Sequence, residues 1–101
     1  MTAYVVFTVK SVQDEQAMDE YRKLLLPLIE RQKLKMLAGP SVRAELEGGP
    51  FVAGVVIEFE DVNSARAWYH SEEYQRVLTI RINASESDGF ILEAWPAHVT
   101  G

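Results

Sequence analysis

The order in which apolar periodicity changes along the chain limits its fold more than any single motif. Residues 2–10, TAYVVFTVK, alternate: Tyr4, Val6 and Thr8 fall on one side, and Ala3, Val5, Phe7 and Val9 on the other. That is the pattern of a strand with a wetter and a drier face. From Asp14 the spacing turns helical through Ala17, Tyr21, Leu24, Leu25 and Leu28, with Asp14 as N-cap and Glu15 in the first turn. Pro27 inside this run predicts a kink between Lys23 and Pro27, because its ring crowds the carbonyl four residues back. Strand character returns over Leu37–Glu47, bent at Gly39-Pro40, and again over FVAGVVIEFE; Gly48-Gly49-Pro50 between them supplies the turn of a hairpin. Asp61 or Asn63 caps a second helix through Ala65, Trp68 and Tyr69, and Ser71 caps a restart through Tyr74, Val77, Leu78 and Arg81. Ser87-Asp88-Gly89 then turns the chain into a last strand, FILEAW.

The order β-α-β-β-α-β predicts an α+β, ferredoxin-like fold with a four-stranded antiparallel sheet and both helices on one face. With 101 residues, 48% hydrophobic, the length suits a single domain over 1–101 and leaves no room for a second core. Two helices cannot cover both faces of the sheet. The uncovered apolar face is therefore expected to meet its own copy, which makes a homodimer the expected state.

Several function classes lose support. Ten basic against fifteen acidic residues give a net charge of −5, which disfavours a nucleic-acid partner because phosphate binding draws on clustered Lys and Arg. The one basic cluster, Arg31, Lys33 and Lys35, sits where a helix ends and suits the negative end of its dipole. Without cysteine there is no thiolate metal site, iron–sulfur ligation or cysteine nucleophile. His70 and His98 are too far apart to suggest a histidine metal site, so neither a metal nor a cofactor is expected. Phosphate-loop, nucleophile-elbow and RNA-binding motifs are also missing. No apolar run reaches the roughly 18 residues of a membrane span. The N-terminal stretch has no basic n-region, and a cytoplasmic protein without a membrane partner is the expectation.

Five segments together resemble a known family: AYVV at the start, Asp14 to Lys23 ending in Tyr-Arg-Lys, LAGPSVRAELEGG, VVIEFEDVNSARAWYHSEEYQ and the late Arg81. The chain is similar along its whole length to the domain of unknown function 1330 family, of the dimeric α/β-barrel superfamily. The resemblance implies a homodimer whose sheets face each other, with a cleft in each subunit between sheet and helices. It implies no common reaction, since the wider superfamily includes cofactor-independent monooxygenases, small isomerases and lyases, and haem enzymes. Where members often carry His-Gly-Gly after the first helix, this chain has Gln32-Lys33-Leu34. Residues that prefer negative φ replace two glycines there, so a longer or different helix exit is expected.

The candidate chemistry is spread over both halves. Arg81 can clamp a carboxylate through two parallel hydrogen bonds, or form a structural ion pair with Glu58 or Glu93. Tyr21, Trp68 and Tyr69 can wall a ligand pocket beside it, or serve as core, with Tyr69 toward the sheet and Trp68 on its flank. Tyr4 is a further polar-tipped candidate. Glu58 is a carboxylate in an apolar strand and a candidate general base, or the cross-strand partner of Arg43. His70 is a candidate acid–base group, or a junction residue between helices. The reading is a homodimer binding a small carboxylate-bearing or aromatic metabolite. The alternatives are a non-catalytic structural module and, more remotely, a cofactor-independent monooxygenase or isomerase.

Overall fold

The computed structural model describes residues 1–96 of the chain. The first strand, β1 (Ala3–Val12), is followed by helix α1 (Glu15–Arg31), and a short strand β2 (Lys35–Ala38) leads through a long connection to β3 (Ala53–Phe59). Helices α2 (Val62–Tyr69) and α3 (Glu72–Ala84) follow, and β4 (Ser85–Glu93) closes the sheet in the order β2-β3-β1-β4. All three strand pairings are antiparallel. This is the ferredoxin-like arrangement, with the second helix in two segments.

The alternation in β1 decides which face is covered. Ala3, Val5, Phe7 and Val9 are buried, and they join Met18, Tyr21, Leu25 and Leu28 of α1 and Tyr74, Val77 and Leu78 of α3 in one core cluster. Tyr4, Val6 and Thr8 face the other way. They align with Glu58, Val56 and Gly54 of β3 and with Leu92, Phe90 and Asp88 of β4. Phe90 and Leu92 are 47% and 52% exposed, so the face away from the helices carries an open apolar surface.

The caps act as the sequence indicates. Asp14 Oδ1 accepts from Ala17 N at 3.0 Å, Asp61 Oδ1 from Ser64 N at 2.7 Å, and Ser71 Oγ from Tyr74 N at 3.2 Å. The hydrogen bond from the Ser64 amide holds the Asp61 carboxyl below its ordinary pKa. Helix α1 continues through Pro27 to Arg31. Its exit keeps the left-handed geometry that glycine favours: Lys33 takes φ 55°, its N–H bonds to Glu30 O, and Leu34 N–H bonds to Ile29 O. The helix is therefore not lengthened by the loss of glycine; Lys33 accepts the strain instead.

Three sequence expectations are corrected. The second strand spans Lys35–Ala38, not Leu37–Glu47, and the chain from Gly39 to Val52 is irregular. At its root Gly39 takes φ 107°, and a Cβ there would lie 2.0 Å from Gly54 O, so only glycine allows this close approach. Because Arg43 lies in this irregular stretch, it does not pair with a β3 glutamate; Lys35 takes that place, 3.4 Å from Glu58. Ser87-Asp88-Gly89 is not a turn but part of β4, which starts at Ser85 directly after α3. Gly89 is needed for packing, since a Cβ would come within 2.7 Å of the Phe7 ring.

Candidate functional site

Arg81 lies one turn from the end of α3 and points inward, at 4% exposure. Its guanidinium sits 4.5 Å above the centre of the Phe7 ring and 5.7 Å from that of Tyr21. Nη1 donates to Ser87 Oγ of β4, and Ser85 Oγ donates to the Arg81 carbonyl at 2.7 Å. The Nε–H has no hydrogen-bond partner, and no carboxylate of the described residues pairs with the cation. An isolated buried charge is costly, and here two ring faces, the Ser87 hydroxyl and the neighbouring Tyr21 and Tyr74 stand in place of a carboxylate. Burial pulls the guanidinium toward deprotonation, but Tyr21 and Tyr74 beside it more than offset this, and its pKa lies above the ordinary arginine value. It is a permanent cation.

The two tyrosines form the other polar element. Tyr21 of α1 and Tyr74 of α3 place their hydroxyls 3.0 Å apart in the core. Burial, reinforced by Tyr21, pushes the Tyr74 phenol well above its usual pKa. Tyr74 is fully buried between Phe7, at 5.9 Å and nearly parallel, and Trp68, at 4.2 Å. These contacts hold Phe7, and through it the rings around Arg81, in one geometry.

Arg81, Tyr21 and Phe7 border a cavity of about 110 Å³ between the sheet and α1, completed by Met18, Leu25 and Val55. That is roughly the volume of four water molecules. Its walls are apolar except near Arg81, Tyr21 and the edge residue Arg22. A wider groove of about 500 Å³ lies between α2 and β4, bordered by Arg66, Tyr69, His70, Phe90 and Glu93. It is open, and its charged groups are solvated. The smaller cavity is lined by a buried cation with no carboxylate beside it among the described residues, which makes it the stronger candidate despite its size.

The residues singled out in the sequence separate into four places. Arg81 and Tyr21 meet at the small cavity. Tyr69 and His70 border the open groove, where His70 is exposed, closes α2, and sits edge-on to Tyr69 at 5.0 Å. Trp68, expected on the flank, is buried, while Tyr69 is only half-buried. The indole donates to Gln32 Oε1 at 2.8 Å and packs on Phe59 and Tyr74, not on the cavity. Glu58 and Tyr4 lie opposite each other on the open face of the sheet, across the sheet from Arg81. Neither Glu58 nor Glu93 pairs with Arg81. His98 lies outside the described residues. Phe7, Ser87 and Gln32 were not foreseen: Phe7 reads as an ordinary core position, and Ser87 as part of a turn. Gln32, where the family often has histidine, instead links Trp68 to Glu73 at 3.0 Å.

The family model for a domain of unknown function, DUF1330, matches residues 2–95. The chain belongs to that family. Its membership covers every element described above and names no reaction. No protein of curated function shows a significant match. Among solved structures, a protein of unknown function from Rhodopseudomonas palustris is similar at 14% identity and TM-score 0.71, over 94% of this chain and 83% of that one. A dimeric protein of unknown function with a ferredoxin-like fold from Bacteroides fragilis is similar at 11% identity and TM-score 0.66, covering 92% and 96%. A dimeric ferredoxin-like protein of unknown function from Jannaschia sp. is similar at 15% identity and TM-score 0.66, covering 93% and 100%. At these identities the likeness is one of fold. No helix among the described residues is long and apolar enough to cross a membrane.

Proposed function

We propose that this DUF1330 protein is a homodimer that binds a small carboxylic acid in the cavity between sheet and α1, with the carboxylate on Arg81. The observation that carries this reading is the Nε–H of Arg81, buried, unpartnered, and part of a guanidinium with no carboxylate beside it. A carboxylate in the cavity would bring this guanidinium the charge that no described residue supplies, through the paired geometry for which arginine is suited. The apolar walls suit a short hydrocarbon or small ring behind the acid group. For the dimer, support comes from the open face with Phe90 and Leu92, and from the dimeric neighbours of the same fold.

Catalysis is not part of this reading. Glu58 is on the other face of the sheet, and His70 borders the open groove, so neither candidate proton carrier shares the cavity with Arg81. Tyr74 is held neutral by its burial and is a poor general base.

A thermal-shift series of short carboxylic acids against their primary amides tests the assignment. An acid at ten times its Kd should stabilise by about 1.4 kcal/mol, raising Tm by roughly 5–10 °C, while the matched amide leaves Tm unchanged. Arg81→Met should abolish the shift, and Arg81→Lys, which keeps the charge but loses Nε, should weaken it. Equal shifts for acid and amide, or none for any acid, contradict the proposal.

A further inference from the structure

Among the described residues, two arginines and no acidic side chain line the cavity between sheet and α1, in a chain where acidic residues outnumber basic ones fifteen to ten. The two cations sit at different depths. Arg81 is at the inner end, beside the buried Tyr21 and Phe7. Arg22 keeps its side chain 43% exposed, in company with the exposed Leu26 and Pro40, and these three mark the mouth. Helical spacing produces the arrangement: Met18, Tyr21, Arg22, Leu25 and Leu26 fall at i, i+3, i+4, i+7 and i+8, so the stripe of α1 that walls the cavity carries a cation on its outer edge. Val9, Met36 and Val55 complete a lining that is otherwise mostly hydrocarbon.

Arg22 is held loosely. Among the described residues its polar partner is Asp19 Oδ1, 2.7 Å from Nη1 and three residues back on the same helix. Both side chains reach solvent, and an exposed ion pair of this kind contributes little and is readily exchanged for another carboxylate. A single oxygen also engages only part of the guanidinium fork, whose other N–H groups can take a second acceptor.

We infer that the acid held on Arg81 is a short dicarboxylate, with its second carboxylate on Arg22 at the mouth. The inference rests on the Arg81 reading proposed above and narrows it, since a monocarboxylate leaves Arg22 without a role. Volume sets the length. At the roughly 30 Å³ that a water molecule takes in the liquid, a cavity of about 110 Å³ holds about four non-hydrogen atoms. One carboxylate and its neighbouring carbon fill that space, so a diacid of about four or five carbons brings its second carboxylate out at the mouth. The field of the whole chain works the other way: with a net charge of −5, an added negative charge on a ligand meets repulsion unless a cation lies next to it. A preference for two carboxylates over one is therefore a signature of Arg22 and not of the overall charge.

Succinate and its monoamide, succinamate, match in size and differ by one charge at one end, which makes them the probes for calorimetric titration at low ionic strength. The natural chain should bind succinate at least about fivefold more tightly than succinamate. Arg22→Gln should bring the two within about twofold of each other by weakening succinate. Asp19→Asn removes the competing carboxylate, and it should strengthen succinate binding more than succinamate binding; no such gain counts against the exchange at Arg22. Equal affinities in the natural chain, or a preference that survives Arg22→Gln, overturns the dicarboxylate and leaves Arg81 with a monocarboxylate. Binding of neither probe also overturns it, and if butyrate fails to bind as well, the Arg81 reading falls with it.

Discussion

At the scale of single residues, Arg81 and Tyr74 show how much of the candidate site rests on buried polar groups. Tyr74 gives a pH signature. Its folded pKa is raised above the ordinary value of 10.0, so the folded state keeps a phenol proton that the unfolded state releases. The stability from this proton is fully present below pH 10.0, and it is lost as pH rises from there toward the folded pKa. Its contribution to the slope is about 1.4 kcal/mol per pH unit. Alkaline chemical denaturation should therefore show a steeper fall in stability for the natural chain than for Tyr74→Phe, by about one proton. Equal slopes would mean that Tyr74 ionises as easily folded as unfolded. At neutral pH the same variant should cost about 1 kcal/mol, through the lost bond to Tyr21. That Arg81 and Tyr21 would be candidates was legible because a late arginine and an inward tyrosine stand out at helical spacing, and both border the same cavity. Phe7 and Ser87 were not, because a phenylalanine in an alternating strand and a serine before Asp-Gly have commoner roles.

At the scale of elements, periodicity and capping residues identified most of the fold, and failures occurred where a segment depends on something distant. The N-caps Asp14, Asp61 and Ser71 need only the next three residues, so they could be read locally. Gly89 could not, because the reason for a glycine there is the Phe7 ring on the neighbouring strand. The stretch Ser41–Glu47 could not either: its alternation is genuine, but the chain itself provides no edge to pair with. The exit of α1 is an intermediate case. The sequence indicated that the glycine of the family pattern is missing, and the structure shows that Lys33 adopts the left-handed conformation nonetheless. Lys33→Gly should therefore stabilise the protein by about 1 kcal/mol, measured as a higher denaturation midpoint at unchanged m-value. A lower midpoint would show that the lysine side chain contributes more than the backbone strain costs.

At the scale of the whole molecule, a thin α+β layer with one covered and one open sheet face accounts for both the ligand reading and the homodimer. On the covered side an apolar cavity is bordered by a buried guanidinium with no carboxylate partner among the described residues. The open side, with Phe90 and Leu92, leaves apolar surface that a second copy can cover. Light scattering at micromolar concentration should give twice the chain mass of 11.4 kDa. The ligand reading stands apart from that outcome, because the cavity is lined by Phe7, Met18, Tyr21 and Leu25 of the core between sheet and helices and not by the open face. Its most direct test is a crystal structure of the protein soaked with the acid that gives the largest thermal shift. Density for a carboxylate should lie within hydrogen-bond distance of the Arg81 guanidinium, with its tail among Phe7, Leu25 and Val55. Acid bound only in the groove between α2 and β4, or a cavity closed by side chains with Arg81 unchanged, would contradict the ligand reading.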